Sequence, residues 1–250
     1  MSDATFKDHF SGTAAAYAAF RPRYPAALFE YIASLPPRRN VAWDCATGNG
    51  QAAIPLADYF DRVVATDASA EQIAHATPHP RVEYRVALAD NSGLPDAAVD
   101  LVTVAQALHW LPLDRFAMEA RRVVRNGGVM AVWCYTRPLL PGSLDDVLDS
   151  YYSGELGAYW FPERRLVETG YRGLELPFTD LPTPRFAIEA PLTLQQFAGY
   201  MRTWSATRNR AAEVRHDPVA AVEERMRAAW GNGTRVVHWP VHVRAGVIEP

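Results

Sequence analysis

The residues of this chain best suited to chemistry lie where a short apolar run, Val41-Ala-Trp-Asp44, gives way to Cys-Ala-Thr-Gly48-Asn-Gly50. Glycines there let the backbone turn sharply and approach a ligand, and the helical pattern that follows offers free N–H groups at its start. A nucleotide-like ligand is implied. A carboxylate at the end of a buried strand is costly unless hydrogen-bonded. Asp44 therefore has two readings, as a brace for the loop's own amides or as a holder of a polar part of the ligand. Asp67 closes a second β-branched run 17 residues after Gly50. That is near the spacing at which an acidic side chain accepts from both ribose hydroxyls, and its other reading is the N-cap of a helix starting at Ala68. Gly48-Asn-Gly50-Gln-Ala-Ala53 also satisfies the dinucleotide pattern G-x-G-x-x-G/A. Asp44 weighs against that, because a pyrophosphate beside it would juxtapose like charges, whereas a cationic or zwitterionic ligand suits it.

Other chemistries are excluded by what is missing. Lys7 is the only lysine among 25 basic residues, so Walker A, Schiff-base and Tyr-x-x-x-Lys chemistry have no lysine deep in the chain. There is no G-x-S-x-G elbow. Cys45 and Cys134, the only cysteines, sit in apolar runs and read as reduced core thiols, so no thiolate zinc site is available. His238 and His242 share a strand face without an evident third ligand, and no metal is expected. Arg202, Arg208, Arg210 and Arg215 could include a clamp for a substrate carboxylate, or form a solvated helix face. Arg137, just past the fifth apolar run, is another site-facing candidate.

These residues must be positioned by elements that the pattern also predicts. Strands over 41–44, 62–67, 82–88, 99–105 and 129–135 alternate with helical patterns over 51–59, 68–76 and 113–125, which predicts a parallel sheet built from five βα steps. Asn126-Gly-Gly reads as the C-cap of the last of these helices. After Arg137 prolines multiply, with helices over about 144–156, 193–202 and 217–230 and strand candidates near 174–189 and 235–247. Pro240 is awkward there, because proline belongs on an edge strand or at a bulge. The first 40 residues read as one or two helices broken at Arg21-Pro-Arg-Tyr-Pro25. They and the later insertions are expected to cover the carboxyl edge of the sheet, where open α/β sheets bind ligands.

Taken together, the motifs resemble the class I S-adenosylmethionine-dependent methyltransferases, specifically the methyltransferase type 11-like small-molecule group that includes trans-aconitate methyltransferase-like proteins. The resemblance spans about residues 5–136. The family's first motif, D-x-G-x-G-x-G, is represented by Asp44, Ala46 in place of its first glycine, Gly48 and Gly50. Asp67 matches the acidic residue that binds the ribose, with Ala68 after it. Asp90 and Asn91 match the segment that contacts adenine, and Gln106-Ala-Leu-His109-Trp110 the stretch beside the methionine part. Arg122-Val-Val-Arg-Asn-Gly-Gly128 resembles its helix-to-strand signature, and Phe10, Tyr17 and Tyr24 its segment over the cofactor, or else simple core packing with Phe6. The resemblance implies a Rossmann-like fold with a mostly parallel seven-stranded sheet, helices on both faces and a helical cap. It implies one domain with lid helices over 1–40, a cofactor-binding core over 41–136 and a variable substrate region over 137–250.

The implied reaction needs little from the protein beyond alignment and exclusion of water, since the sulfonium is already activated. A carboxylate acceptor needs no base; for a hydroxyl or amine, His109 is the candidate base, its other role being a pocket wall. Tyr24, His109, Trp110 and Trp204 are the candidate substrate-lining residues. The rival functions are a nicotinamide-dependent oxidoreductase and a non-catalytic module that binds the same cofactor. A net charge of −3 gives no footprint for nucleic acid or anionic lipid. No uncharged stretch exceeds the 13 residues Leu101–Leu113, too few for a membrane span. MSDATFKDHF lacks the form of a signal peptide, so a cytoplasmic protein acting on a small molecule is expected.

Overall fold

The computed structural model describes residues 22–249; Phe6, Phe10 and Tyr17 lie outside them. The strands are β1 (Val41–Cys45), β2 (Arg62–Asp67), β3 (Val82–Val86), β4 (Val99–Ala105), β5 (Val124–Tyr135), β6 (Phe186–Leu192) and β7 (Arg235–Val247). They form one seven-stranded sheet in the order β3-β2-β1-β4-β5-β7-β6. Only β7 runs against its neighbours. The strand order reverses beside β1, whose partners are β2 on one side and β4 on the other. The crevice at the carboxyl ends of β1 and β4 is thus where this sheet can receive a ligand.

Period-2 alternation explains why these runs are central strands. In β5, Val129, Ala131, Trp133 and Tyr135 enter one core, while Met130, Val132 and Cys134 enter the core on the other face. Helix α1 (Ala26–Ser34) buries Leu28, Phe29 and Ile32 on the first face. On the second, Phe116, Ala120 and Val123 of α4 (Leu113–Val123) pack with Trp43.

Several expected boundaries differ. The pattern over 51–59 gives only a short helix, α2 (Ala53–Leu56), followed by turns that keep bonds such as Phe60 N–H to the Leu56 carbonyl (3.0 Å). Helix α3 (Ala70–Ala74) starts later than expected because Ser69, not Asp67, is its N-cap; the Ser69 hydroxyl accepts from Gln72 N–H. No helix joins β3 to β4. Residues 87–98 form a loop tied to α4: Ser92 donates to Glu119 through both its N–H (2.8 Å) and its hydroxyl (2.5 Å), and Arg122 bridges Glu119, Asp96 and the Leu94 carbonyl.

Asn126-Gly-Gly is not a helix cap. Helix α4 passes straight into extended backbone at Val124, and the glycines lie within β5. The ladder pairs Val99 with Val124 and then Leu101 with Val129, so residues 125–128 bulge, with Gly127 at φ +77°. Pro240 lies in an interior strand, paired on β6 with Ala187. Its carbonyl accepts from Thr136 N–H (3.2 Å), just past the last β5 pair, Tyr135 with Val241. Its missing donor therefore faces Thr136 at the very end of the β5 ladder, so no pair within the ladder is broken.

The variable half contains α5 (Ser143–Asp149), continued by a wide turn over 150–155, α6 (Arg164–Glu168), α7 (Leu194–Arg202), α8 (Ser205–Val214) and α9 (Val219–Trp230). Helices α6 and α8 are not apparent in the sequence pattern. The first strand beyond β5 begins at Phe186, not near 174. Among the described residues no helix is long and apolar enough to cross a membrane, and no cluster of three or more potential metal ligands occurs.

Candidate cofactor and acceptor site

The carboxyl end of β1 carries a fully buried charge. Asp44 has no solvent exposure. Thr47 donates its hydroxyl to one carboxylate oxygen at 2.6 Å and Thr103, on β4, donates to the other at 2.7 Å. Burial dominates nonetheless and pushes the Asp44 pKa up to about 6; the two hydroxyls oppose that shift and Asp67 adds to it. The sequence offered one signal for these partners, threonines next to and opposite a strand-end aspartate.

Asp67, at the end of β2, grips the same turn. It accepts Gly48 N–H on one oxygen and Ser69 N–H on the other, both at 2.8 Å, which fixes the carboxylate plane. The turn itself is left-handed at three points: Ala46 (φ +55°), Gly48 (φ +59°) and Gly50 (φ +93°). A Cβ on Gly50 would run into the Tyr84 hydroxyl, whose ring packs against the loop while its O–H donates to the Thr77 carbonyl at 3.0 Å. Burial, with the Asp44 charge second, raises the Tyr84 pKa to about 12.

At the end of β4, Gln106 also takes a positive φ, +56°. Its N–H donates to the Trp133 carbonyl (2.8 Å), and its side-chain amide accepts from Tyr135 N–H (2.7 Å) and donates to the Tyr135 carbonyl (3.2 Å). The side chain thus acts as an extra ladder residue that holds the strand end against β5. Beyond it, a short turn over Leu108–Trp110 presents His109 and Trp110 to a cavity of about 70 Å³, which Trp204 also lines.

The comparisons with known proteins agree with this geometry. Residues 43–132 match the family described as a methyltransferase domain. A protein of Dictyostelium discoideum named as a candidate methyltransferase is 33% identical over 204 residues, covering 80% of this chain and 78% of its own. A candidate S-adenosylmethionine-dependent methyltransferase of Saccharomyces cerevisiae is 25% identical over 222 residues, covering 74% and 76%. The solved structure of a candidate type II methyltransferase from Anaeromyxobacter dehalogenans superposes with a TM-score of 0.88 at 45% identity, covering 93% of this chain and all of that one. The chain belongs to the class I S-adenosylmethionine-dependent methyltransferases. Between the two cofactor classes that the Gly48–Ala53 turn allows, membership decides for S-adenosylmethionine over a nicotinamide dinucleotide.

In this methyltransferase, Asp44, Ala46, Gly48, Gly50, Asp67 and Ala68 lie along one carboxyl edge, at the ends of β1 and β2. Asp90 and Asn91 lie in the loop after β3; Asp90 pairs with Arg115 at 3.2 Å. Asp100 is at the other end of its strand, where it accepts from Asn40 and Val41 N–H and pairs with Arg125. Tyr24 packs edge-on to Trp133 (5.7 Å between ring centres) and beside Tyr135, one wall back from the cavity. Arg137 is not an open clamp, since Asp145 pairs with it at 2.8 Å; Arg202 is likewise held by Asp217 and Arg210 by Glu155. His238 pairs with Glu189, and Cys45 and Cys134 are buried free thiols.

Sequence reasoning missed the residues that set His109. Its Nδ1 lies 3.0 Å from the hydroxyl of Tyr171, a fully buried ring on a left-handed residue (φ +60°) directly after Gly170. Burial raises the Tyr171 pKa well above 10, so the phenol keeps its proton, while the backbone N–H groups of Leu108 and His109 face its oxygen. An O–H directed to Nδ1 leaves the neutral imidazole's hydrogen on Nε2. The Gly170-Tyr171 pair was the only signal available.

Proposed function

We propose that the methyltransferase holds S-adenosylmethionine across the carboxyl ends of β1, β2 and β4 and methylates a small-molecule acceptor placed in the cavity beside Trp110 and Trp204. The observation that carries this reading is a pair of strand-end carboxylates, Asp44 and Asp67, fixed around one left-handed glycine turn. Asp67, oriented by Gly48 and Ser69, serves the ribose hydroxyls. Asp44 gives the turn the negative potential that favours the cationic ammonium and sulfonium. Ala46, Gly48 and Gly50 bring backbone to the cofactor, Ala68 lies under the ribose, and Asp90 and Asn91 serve the adenine. Gln106, whose side chain is committed to Tyr135, contributes its position at the strand end.

Bound there, the cofactor supplies an activated methyl group. The protein's part is to orient the acceptor and keep water out. His109, with its neutral-state hydrogen on Nε2, acts as a wall and hydrogen-bond donor rather than as a base. The acceptor is a carboxylate, hydroxyl or amine compound rather than a nucleic acid, a reading supported by the aromatic enclosure and the acidic balance of the chain. Residues 41–136 form the cofactor-binding core and those after 137 the acceptor side of a single domain. The two buried thiols suit a reducing cytoplasm.

Thermal unfolding with S-adenosylmethionine, S-adenosylhomocysteine, NAD and NADP at about 1 mM tests the cofactor site. Saturation a hundredfold above Kd stabilises by about 2.7 kcal/mol and moves the midpoint by several degrees. Shifts with the two adenosyl-sulfur compounds alone are expected, and a shift with the nicotinamides alone would overturn the assignment. Incubating the protein with methyl-labelled cofactor and a panel of acids, phenols and amines then reads the acceptor class, and label entering only proteins or RNA would refute the small-molecule reading.

A further inference from the structure

Arg164, the first residue of α6, is the arginine of the acceptor cavity that the protein itself leaves without a carboxylate. It lines the same 70 Å³ space as His109, Trp110 and Trp204. Its Nε donates to the Tyr152 hydroxyl at 2.8 Å, and that phenol, buried and raised to about 12, passes its own proton towards Glu168 at 3.3 Å. Among the described residues no carboxylate lies within ion-pair distance of the guanidinium, and neither Nη has a protein acceptor. The guanidinium carbon lies 5.0 Å from the Trp160 ring centre and 5.7 Å from that of Tyr152, two rings that contact each other at 4.7 Å. Of the other arginines considered for a clamp, Arg137, Arg202 and Arg210 are each spent on an aspartate or glutamate, Arg208 donates to the Thr203 carbonyl at 2.7 Å, and neither Arg208 nor Arg215 lines this cavity.

An arginine whose Nε is anchored on a phenol and whose guanidinium rests beside two aromatic rings leaves its two Nη donors as a fork. That fork matches the two oxygens of a carboxylate. The remaining walls of the cavity are mostly flat and aromatic, with Trp110 edge-on to Phe161 at 5.7 Å. We propose that the acceptor is a planar aromatic carboxylic acid whose carboxylate docks on the Arg164 Nη pair as a recognition handle, its ring lying between Trp110, Phe161 and Trp160. This deepens the proposed function and rests on its placement of the acceptor in this cavity.

The test uses the whole protein saturated with S-adenosylhomocysteine, whose binding is measured first by isothermal titration. Benzoate and 2-naphthoate are then titrated against their neutral counterparts, benzamide and 2-naphthamide. The wild-type protein is expected to bind at least one acid tenfold or more tighter than its amide. Arg164→Gln should lose at least tenfold in acid affinity, keep its amide affinity and hold S-adenosylhomocysteine within twofold of wild type. Arg164→Lys keeps a charge but not the fork, and should recover only part of the acid preference. Acids binding no better than amides, or Arg164→Gln binding acids as well as wild type, overturns the proposal, as does preference for phenyl phosphate over both acids. Failure of S-adenosylhomocysteine to bind the wild-type protein is a different result, which removes the cofactor reading itself.

Discussion

Replacing Asp44 by asparagine should stabilise the protein while weakening its grip on the cofactor. The carboxylate is fully buried and its pKa is raised to about 6, so the folded state disfavours the ionised form. For an acid whose folded pKa is raised, the stability it contributes is fully present below the unfolded value of 3.8 and is lost as pH rises through about 6. A shift of about two units corresponds to about 3 kcal/mol at pH 8. An isosteric amide escapes that cost but must turn its NH₂ towards Thr47 or Thr103, exchanging one accepted bond for one donated, at about 1 kcal/mol. The net expectation at pH 8 is a variant more stable by about 2 kcal/mol, a rise in midpoint of roughly 4–8 °C for a chain of this size. The advantage should shrink by about 2.5 kcal/mol between pH 8 and pH 4, as the wild-type carboxyl takes up its proton in the fold. Urea unfolding of both proteins at the two pH values measures this difference, and other titrating groups cancel in the comparison. A stability difference that is the same at pH 4 and pH 8, or a wild type more stable than the variant at pH 8, would refute the account of Asp44 as a destabilising buried charge kept for binding.

Three further outcomes follow from the site. Ala46 holds φ +55°, at a cost of about 1–2 kcal/mol for an L-residue, against which glycine loses about 0.5–1 kcal/mol of chain entropy. Ala46→Gly should therefore raise stability by about 0.5–1 kcal/mol with cofactor affinity unchanged, and a lower unfolding midpoint would contradict it. Gly50→Ala meets both a left-handed backbone and the Tyr84 hydroxyl, so it should cost more than about 2 kcal/mol; Tyr84→Ala in the same chain should restore part of the loss, and strict additivity would show that the ring is not the obstacle. Tyr171→Phe removes the hydroxyl that orients His109, costing about 1 kcal/mol in stability. It should lower turnover while leaving S-adenosylhomocysteine affinity within twofold, and unchanged turnover would make that hydrogen bond irrelevant to the acceptor side.

The sheet was legible in the sequence wherever periodicity and turn chemistry agreed. The Val41–Asp44 run, its glycine turn and Asp67 at the next strand end stand where the spacing puts them. Three kinds of feature were not legible. Asn126-Gly-Gly reads as a helix cap because a β-bulge and a C-cap both use glycine at positive φ, and only the pairing of Val124 with Val99 separates them. Pro240 leaves edge and interior placement open because the sequence does not show that its missing N–H falls at the very end of the β5 ladder. Arg164, Tyr152 and Tyr171 were missed because their roles come from long-range packing across α6 and the loop after Gly170, where no period exists to read. Gln106 was found by position, but its side-chain ladder to Tyr135 depends on a strand neighbour 29 residues away.

The most direct test of the cofactor site is the affinity of S-adenosylhomocysteine for the wild-type protein and for Asp67→Ala, measured by isothermal titration alongside unfolding curves that show both are folded. Hydrogen bonds to a charged group contribute about 1.5–3 kcal/mol, so the variant should bind roughly 10- to 150-fold more weakly. Equal affinity in two folded proteins would contradict the placement of the ribose at the end of β2, and with it the site proposed here.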